Sequence, residues 1–83
     1  MAEKLKILML EDVPVDAELV EMELRKAGIA FALKRVETRD TFQKEFNDFK
    51  PDIILADYKL PSFDGLSALD IVRNQDSDTP FIF

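Results

Sequence analysis

Acidic side chains follow two apolar runs of the sequence. Glu11 and Asp12 come directly after the run Leu5–Leu10, and Asp57 comes directly after the run Ile53–Ala56. If both runs are neighbouring parallel strands, their carboxyl ends meet at the edge of the sheet where open α/β sheets bind ligands. Carboxylates gathered in one crevice repel one another, so either one of them keeps a proton or a cation neutralises them. Oxygen ligands alone favour Mg²⁺, and the sequence contains neither His nor Cys for a zinc site.

Each of these residues also has a simpler interpretation. Glu11 and Asp12 could form a turn at the end of a strand, with Asp12 capping the next helix, and Asp57 could only begin a turn. The loop after Asp57 contains residues that are common on surfaces and in turns: Lys59, Pro61 and Gly65. The whole combination is less expected by chance than any single part of it, so we favour a shared site.

Three helices are expected around these residues. The first begins at Pro14, and Gly28 lies where a left-handed cap would end it. Thr38 is a cap candidate for the second, which Lys50-Pro51-Asp52 ends, and residues 66–74 form the third. Apolar residues recur at helical spacing in the first two segments: Ala17, Val20, Leu24 and Ala27, then Phe42, Phe46 and Phe49.

Four strands are expected between and around the helices. Leu5–Leu10 and Ile53–Ala56 are short apolar runs, and the second is unbroken, as in strands that are buried on both faces. Residues 31–37 mix apolar and basic side chains and indicate an edge strand, and residues 80–83 begin a fourth strand. The resulting order βαβαβαβ predicts a parallel sheet with helices on its faces and right-handed crossovers.

The composition limits the possible functions. The chain has 83 residues, of which 17 are acidic and 11 are basic, for a net charge of −6. One domain is the limit at this length, and no basic face for nucleic acid is visible. No apolar run approaches the ~18 residues that span a bilayer. With no signal-peptide pattern and no Cys, we expect a cytoplasmic protein that does not contact a membrane.

The combined pattern resembles the receiver domain of two-component response regulators, the CheY-like family. That family has an acidic pair after the first strand, and an aspartate after the third strand that is followed by Leu-Pro or Met-Pro and then by a Gly. Here these are Glu11-Asp12, the segment Asp57-Tyr58-Lys59-Leu60-Pro61, and Asp64-Gly65. The match runs from about Leu5 to Phe83, and as a combination it is highly specific.

The resemblance implies a role for each matching residue. Asp57 would accept a phosphoryl group from the phosphohistidine of a sensor histidine kinase or a phosphotransfer protein. Asp12, Asp57 and the backbone carbonyl of Lys59 would ligate Mg²⁺, with Glu11 acting through water. Two residues would shape the loop that presents Asp57: Pro61 and Gly65. Such a domain is a signalling switch rather than a conventional enzyme, and an output protein would respond to its state.

The resemblance also implies a flavodoxin-like, doubly wound parallel sheet with strand order 2-1-3-4 over residues 1–83. The family adds a fifth strand and two further helices, with a Ser or Thr after the fourth strand and a Lys after the fifth. These positions would lie beyond Phe83. We therefore expect this chain to be the N-terminal two-thirds of a receiver domain. One face of the sheet would then be half covered, and the chain would self-associate or exchange strands.

The residues allow three rival interpretations. A haloacid-dehalogenase-type phosphatase needs a second Asp two residues after its nucleophile, and Lys59 stands there. A calcium loop at Asn74, Asp76 and Asp78 fails because Thr79 occupies the glycine position. A receiver-like interaction domain that is never phosphorylated is the serious rival: Glu11, Asp12 and Asp57 argue against it, but the expected lack of the later family positions leaves it open.

Overall fold

The computed structural model describes residues 4–56, 65–75 and 78–83. Strands and helices alternate along these residues, as the sequence predicted. The strands are β1 (Leu5–Leu10), β2 (Phe31–Val36), β3 (Ile53–Ala56) and β4 (Phe81–Ile82). The helices are α1 (Pro14–Lys26), α2 (Arg39–Phe49) and α3 (Gly65–Asn74). Gly65 belongs to the third helix rather than to the turn before it, and the fourth strand is shorter than expected.

The four strands form one parallel sheet in the order β2-β1-β3-β4. The predicted order 2-1-3-4 and the flavodoxin-like architecture are therefore confirmed, and β2 lies at an edge as expected. Central strand β1 pairs with β2 from Leu5 opposite Phe31 to Leu10 opposite Val36. Its other side pairs with β3, where Leu10 lies opposite Ala56. The last residues of these three strands therefore lie at one level of the sheet.

Most of the core lies between the sheet and helices α2 and α3. Leu8, Leu10, Ile54 and Ala56 supply it from β1 and β3. The helices supply buried side chains at helical spacing: Phe42 and Phe46 from α2, then Ala68, Ile71 and Val72 from α3. The rings of Phe42 and Phe46 are stacked with their centroids 6.1 Å apart, whereas Phe49 is only half-buried. The phenylalanine stripe that the sequence predicted as core is thus confirmed for its first two members.

The opposite face of the sheet, which α1 covers, is packed less fully. Ala17 is the buried residue of α1, while Val20 and Leu24 are half-buried and Ala27 is exposed. Leu55 of β3 is half-buried as well. A hollow of about 290 Å³ lies on this side, lined by Met9, Glu11, Val20, Leu55, Ala56, Ile82 and Phe83. The half-covered face that the sequence predicted is found on β3.

The prediction of a half-covered face was wrong for the central strand β1. Ile7 and Met9 of β1 face the α1 side, yet they are 1% and 8% exposed. Ile7 and Met9 each lie between paired residues of β2 and β3, whereas Leu55 is flanked on its outer side by Ile82, which is 50% exposed.

Short-range capping sets the ends of the helices. The Thr38 hydroxyl accepts a hydrogen bond from the Thr41 amide at 3.2 Å and caps α2 as predicted. Gly28 has φ +75° and its amide donates to the Arg25 carbonyl, which ends α1 as predicted. Helix α2 ends at Phe49, and its C-cap Lys50 is left-handed with φ 53°, a conformation that Gly or Asn more often adopts. Among the described residues, no helix is long and apolar enough to cross a membrane.

Candidate functional site

The first part of the candidate site is the turn that leaves β1. The Glu11 side chain is buried at 4% exposure, and Asp12 is half-buried. The Glu11 amide donates a hydrogen bond of 3.0 Å to the Val36 carbonyl at the end of β2. Burial of a carboxylate is costly unless polar or charged groups compensate for it. The turn holds two adjacent acidic residues at the carboxyl end of the central strand, and one of them is buried. Such a pair is unusual in a turn with a purely structural role.

Asp12 does not act as a helix cap. The N-cap of α1 is Val13, which makes no side-chain capping bond, and Pro14 begins the helix. Asp16 supplies the acidic residue of the first helical turn instead. The simpler interpretation of Asp12 as a cap is therefore not borne out.

The second part of the candidate site follows β3. Ala56, the last residue of β3, is buried and lies opposite Leu10 in the sheet. The sequence continues from Ala56 into Asp57, as it continues from Leu10 into Glu11. Asp57, Lys59 and Pro61 lie outside the described residues, so their roles stay predictions.

Two further predicted positions can be located. Gly65 is the first residue of α3 and is buried, so the predicted loop leads directly into this helix. Its role in shaping that loop stays a prediction. Asn74, the first position of the rejected calcium loop, is the last residue of α3.

Sequence reasoning missed Arg35, which lies next to the acidic turn. Its Nη1 atom donates a hydrogen bond of 3.0 Å to the backbone carbonyl of Glu11 and lies 3.6 Å from the Glu37 carboxylate. In the sequence Arg35 is an ordinary basic residue in an edge strand. Only the register, in which Arg35 lies opposite Met9, brings it to the end of β1.

The donors at this edge of the sheet fit a hard divalent cation. Carboxylate oxygens, with room for water, are the ligands that Mg²⁺ prefers, and a cation there would reduce the repulsion between Glu11 and Asp12. Over residues 4–56, 65–75 and 78–83, no three acidic, His or Cys side chains are grouped closely enough to hold a metal. The third carboxylate of the predicted site belongs to Asp57, outside those ranges.

A parallel sheet of order 2-1-3-4 with an acidic turn after its central strand defines a flavodoxin-like domain with its site at the carboxyl edge. Residues 7–83 match the response regulator receiver domain family. The chain belongs to this family of two-component signalling domains, which are not conventional enzymes.

The chain is also similar to parts of two transcriptional regulators. An uncharacterized transcriptional regulatory protein of Bacillus subtilis, YvcP, is 36% identical over 78 residues, covering 94% of this chain and 32% of that protein. The transcription factor SKN7 of Saccharomyces cerevisiae is 32% identical over 78 residues, covering 92% of this chain and 12% of that protein. The chain therefore spans a third or less of the length of these two relatives.

Solved structures agree on the fold. The receiver domain of the putative response regulator NarL from Mycobacterium tuberculosis has a TM-score of 0.81 at 24% identity, covering 96% of this chain and 64% of that one. The receiver domain of the sensor histidine kinase PA1611 from Pseudomonas aeruginosa has a TM-score of 0.78 at 30% identity, covering 95% and 65%. That structure has a magnesium ion coordinated in its active-site cleft.

Proposed function

We propose that this chain is a phospho-accepting receiver domain and that Asp57 is its phosphoryl acceptor. A carboxylate oxygen of Asp57 attacks the phosphorus of a kinase or phosphotransfer-protein phosphohistidine. The P–N bond breaks, its electron pair stays with the imidazole nitrogen, and an aspartyl phosphate forms. Phosphoryl transfer of this kind depends on positioning and charge stabilisation, with little covalent chemistry beyond the nucleophile.

The observation that carries this proposal is the pairing of Leu10 with Ala56. Glu11 and Asp12 follow the first of these residues in the sequence, and Asp57 follows the second. Adjacent parallel strands that end at one level direct the following residues towards the same crevice. This register therefore supports a shared acidic site.

Mg²⁺ is the cation that we assign to this site. The carboxylates of Asp12 and Asp57 and the backbone carbonyl of Lys59 would hold it, with Glu11 acting through water. A bound divalent cation supplies positive charge for the phosphoryl oxygens. The residues of the chain supply the nucleophile, orient it and neutralise the cation. The PA1611 receiver domain, with its bound magnesium ion, supports this assignment by similarity.

Phosphorylation can be tested with a small phosphodonor. In a full-length version of the domain, incubation with acetyl phosphate and Mg²⁺ should add one phosphoryl group to the intact mass, and Asp57→Asn and Asp57→Ala should abolish the addition. Asp48→Asn, at an exposed position of α2, is the matched control and should be labelled like the wild type. Label that persists in Asp57→Ala would refute the assignment of the nucleophile. Absence of label in the wild type would favour the unphosphorylated interaction domain.

Metal binding is tested separately. Asp12→Asn should weaken Mg²⁺ binding at least tenfold, because a direct carboxylate ligand loses its charge. Asp16→Asn removes the same charge from the exposed first turn of α1, and it should change the affinity little. Equal affinities of the wild type and Asp12→Asn would show that the site is assigned to the wrong residues.

The proposal implies partners of known chemistry. A sensor histidine kinase or phosphotransfer protein supplies the phosphoryl group, and an output protein of unknown identity reads the result. Contact with nucleic acid is not expected from a chain with a net charge of −6. Self-association of the 83-residue chain and its cytoplasmic location both stay predictions.

A further inference from the structure

Two hydrogen bonds join the backbone of Glu11, the first residue after β1, to strand β2. The Glu11 amide donates to the Val36 carbonyl at 3.0 Å, and the Glu11 carbonyl accepts from Arg35 Nη1 at 3.0 Å. The second bond joins residues 24 positions apart and is partly buried. Both backbone polar groups of Glu11 are thus fixed by the neighbouring strand.

The hydrogen bond from Arg35 constrains the position of the Asp12 backbone. The Glu11 carbonyl belongs to the same planar peptide unit as the Asp12 amide. Fixing the direction of that carbonyl therefore fixes the peptide plane and the position of the Asp12 Cα atom. On its other side, Asp12 leads into Val13 and the uncapped start of α1, which gives it little independent support.

We propose that Arg35 is a positioning residue for the cation site: by holding the Glu11 carbonyl, it sets the place of the Asp12 carboxylate. This inference rests on the proposed Mg²⁺ site. Arg35 is not itself a ligand, because its guanidinium carries a positive charge and no acceptor. The Glu37 carboxylate lies 3.6 Å from the same Nη1 atom and forms an ion pair with it.

Positioning and charge predict opposite effects of removing Arg35. If its charge alone mattered, losing a cation beside the carboxylates would make Mg²⁺ bind more tightly. If its hydrogen bond matters more, losing it lets the Glu11–Asp12 peptide rotate, and Mg²⁺ binds more weakly. The sign of the change therefore distinguishes the two effects.

The test is a Mg²⁺ titration of the wild type and matched variants by calorimetry. Arg35→Met should weaken binding about tenfold, at the lower end of the losses seen when supporting partners of metal ligands are removed. Arg35→Lys keeps the charge and one donor group, and it should recover part of the loss. Lys34→Met is the control, because Lys34 lies next in the strand but contacts Glu45 and the Phe49 ring instead. It should stay within about twofold of the wild type.

A measurement without metal separates failure of this inference from failure of the proposed site. The NMR chemical shift of the Asp12 backbone amide should change more in Arg35→Met than in Lys34→Met. The hydrogen of this amide should also exchange with solvent faster in Arg35→Met. Unchanged or tighter Mg²⁺ binding by Arg35→Met, with a wild type that binds, would overturn the positioning role alone. A wild type that does not bind Mg²⁺ would overturn the proposed site and this role of Arg35 with it. Equal Asp12 amide behaviour in the two variants would also refute the inference.

Discussion

The two faces of the sheet are built differently, although the same strands form both. On the α2 and α3 side, Ile54 of β3 is fully buried among phenylalanine and aliphatic side chains. On the α1 side, the adjacent Leu55 is half-buried beside a hollow of about 290 Å³. Successive side chains of a strand point to opposite faces, so these two neighbours of β3 lie on different faces of the sheet. The difference predicts that truncating a β3 side chain on the α2 and α3 side lowers stability more than truncating its neighbour on the α1 side.

The candidate site is attached to the less packed face. Its acidic turn continues into α1, the helix with one buried residue, Ala17. A helix that is held by few contacts cannot by itself fix the position of Asp12. The hydrogen bonds from β2 to Glu11 then carry more of that role, which is why a strand residue such as Arg35 can matter to a site at the end of another strand.

The largest effect expected from this asymmetry is self-association. Ile82 and Phe83 are each 50% exposed beside the open face, and β4 is the last strand of the sheet over the described residues. An open apolar strand edge pairs readily with a second copy of itself. Covering about 400 Å² of apolar surface would contribute on the order of 10 kcal/mol before the costs of association. We therefore expect the 83-residue chain to be dimeric or larger in sedimentation velocity at micromolar concentration.

Substitution at this edge identifies the surface. Phe83→Asp should shift the chain towards a monomer, because a charge would be buried in the contact. Leu66→Asp is the matched control, since Leu66 is 53% exposed but lies in the first turn of α3. A wild type that sediments as a compact monomer and unfolds cooperatively would refute self-association.

The comparison of the two faces predicts unequal costs for neighbouring truncations. Ile54→Ala should lower the free energy of unfolding by about 2–5 kcal/mol, because it leaves a cavity in a filled core. Leu55→Ala should cost about 1 kcal/mol, since its side chain already borders open space. Urea denaturation of both variants at one protein concentration measures the difference. Equal costs would show that the α1 side is packed as fully as the other.

Much of the fold could be predicted from the sequence. The apolar spacing of Phe42 and Phe46, the Thr38 cap and the short apolar strands are local signals, and each was confirmed. The strand order came from the resemblance, because pairing between strands depends on contacts between distant residues. Only the register shows that Leu10 lies opposite Ala56.

The missed features have non-local causes. The hydrogen bond from Arg35 to Glu11 spans 24 positions and requires the register of β1 on β2. The burial of Ile7 and Met9 depends on the pairing of β1 with a strand on each side, which only the register shows. The left-handed conformation of Lys50 was also missed, because residues with a Cβ atom rarely adopt positive φ.

A moderate effect is expected at the cap of α2. Thr38→Ala should lower the free energy of unfolding by about 1 kcal/mol, because the Thr41 amide loses its acceptor. Thr38→Ser keeps a hydroxyl and should cost less than half of this. Thermal unfolding of the two variants measures the difference, and equal destabilisation by Ser and Ala would show that the hydrogen bond is not the cause.

The smallest effect is expected on the outer surface of α1. Arg25 lies 3.5 Å from Glu21 one helical turn earlier, and its guanidinium lies 5.8 Å from the centre of the Phe31 ring. The Arg25 side chain is 66% exposed, so water and salt screen its charge. Glu21→Gln should therefore change the free energy of unfolding by at most about 0.5 kcal/mol. Arg25→Gln should cost slightly more, because it also removes the contact with Phe31. Urea denaturation at low and high salt tests both, and the cost of Glu21→Gln should vanish at high salt. A loss above 1 kcal/mol that persists in high salt would mean that α1 is held more firmly than its burial indicates.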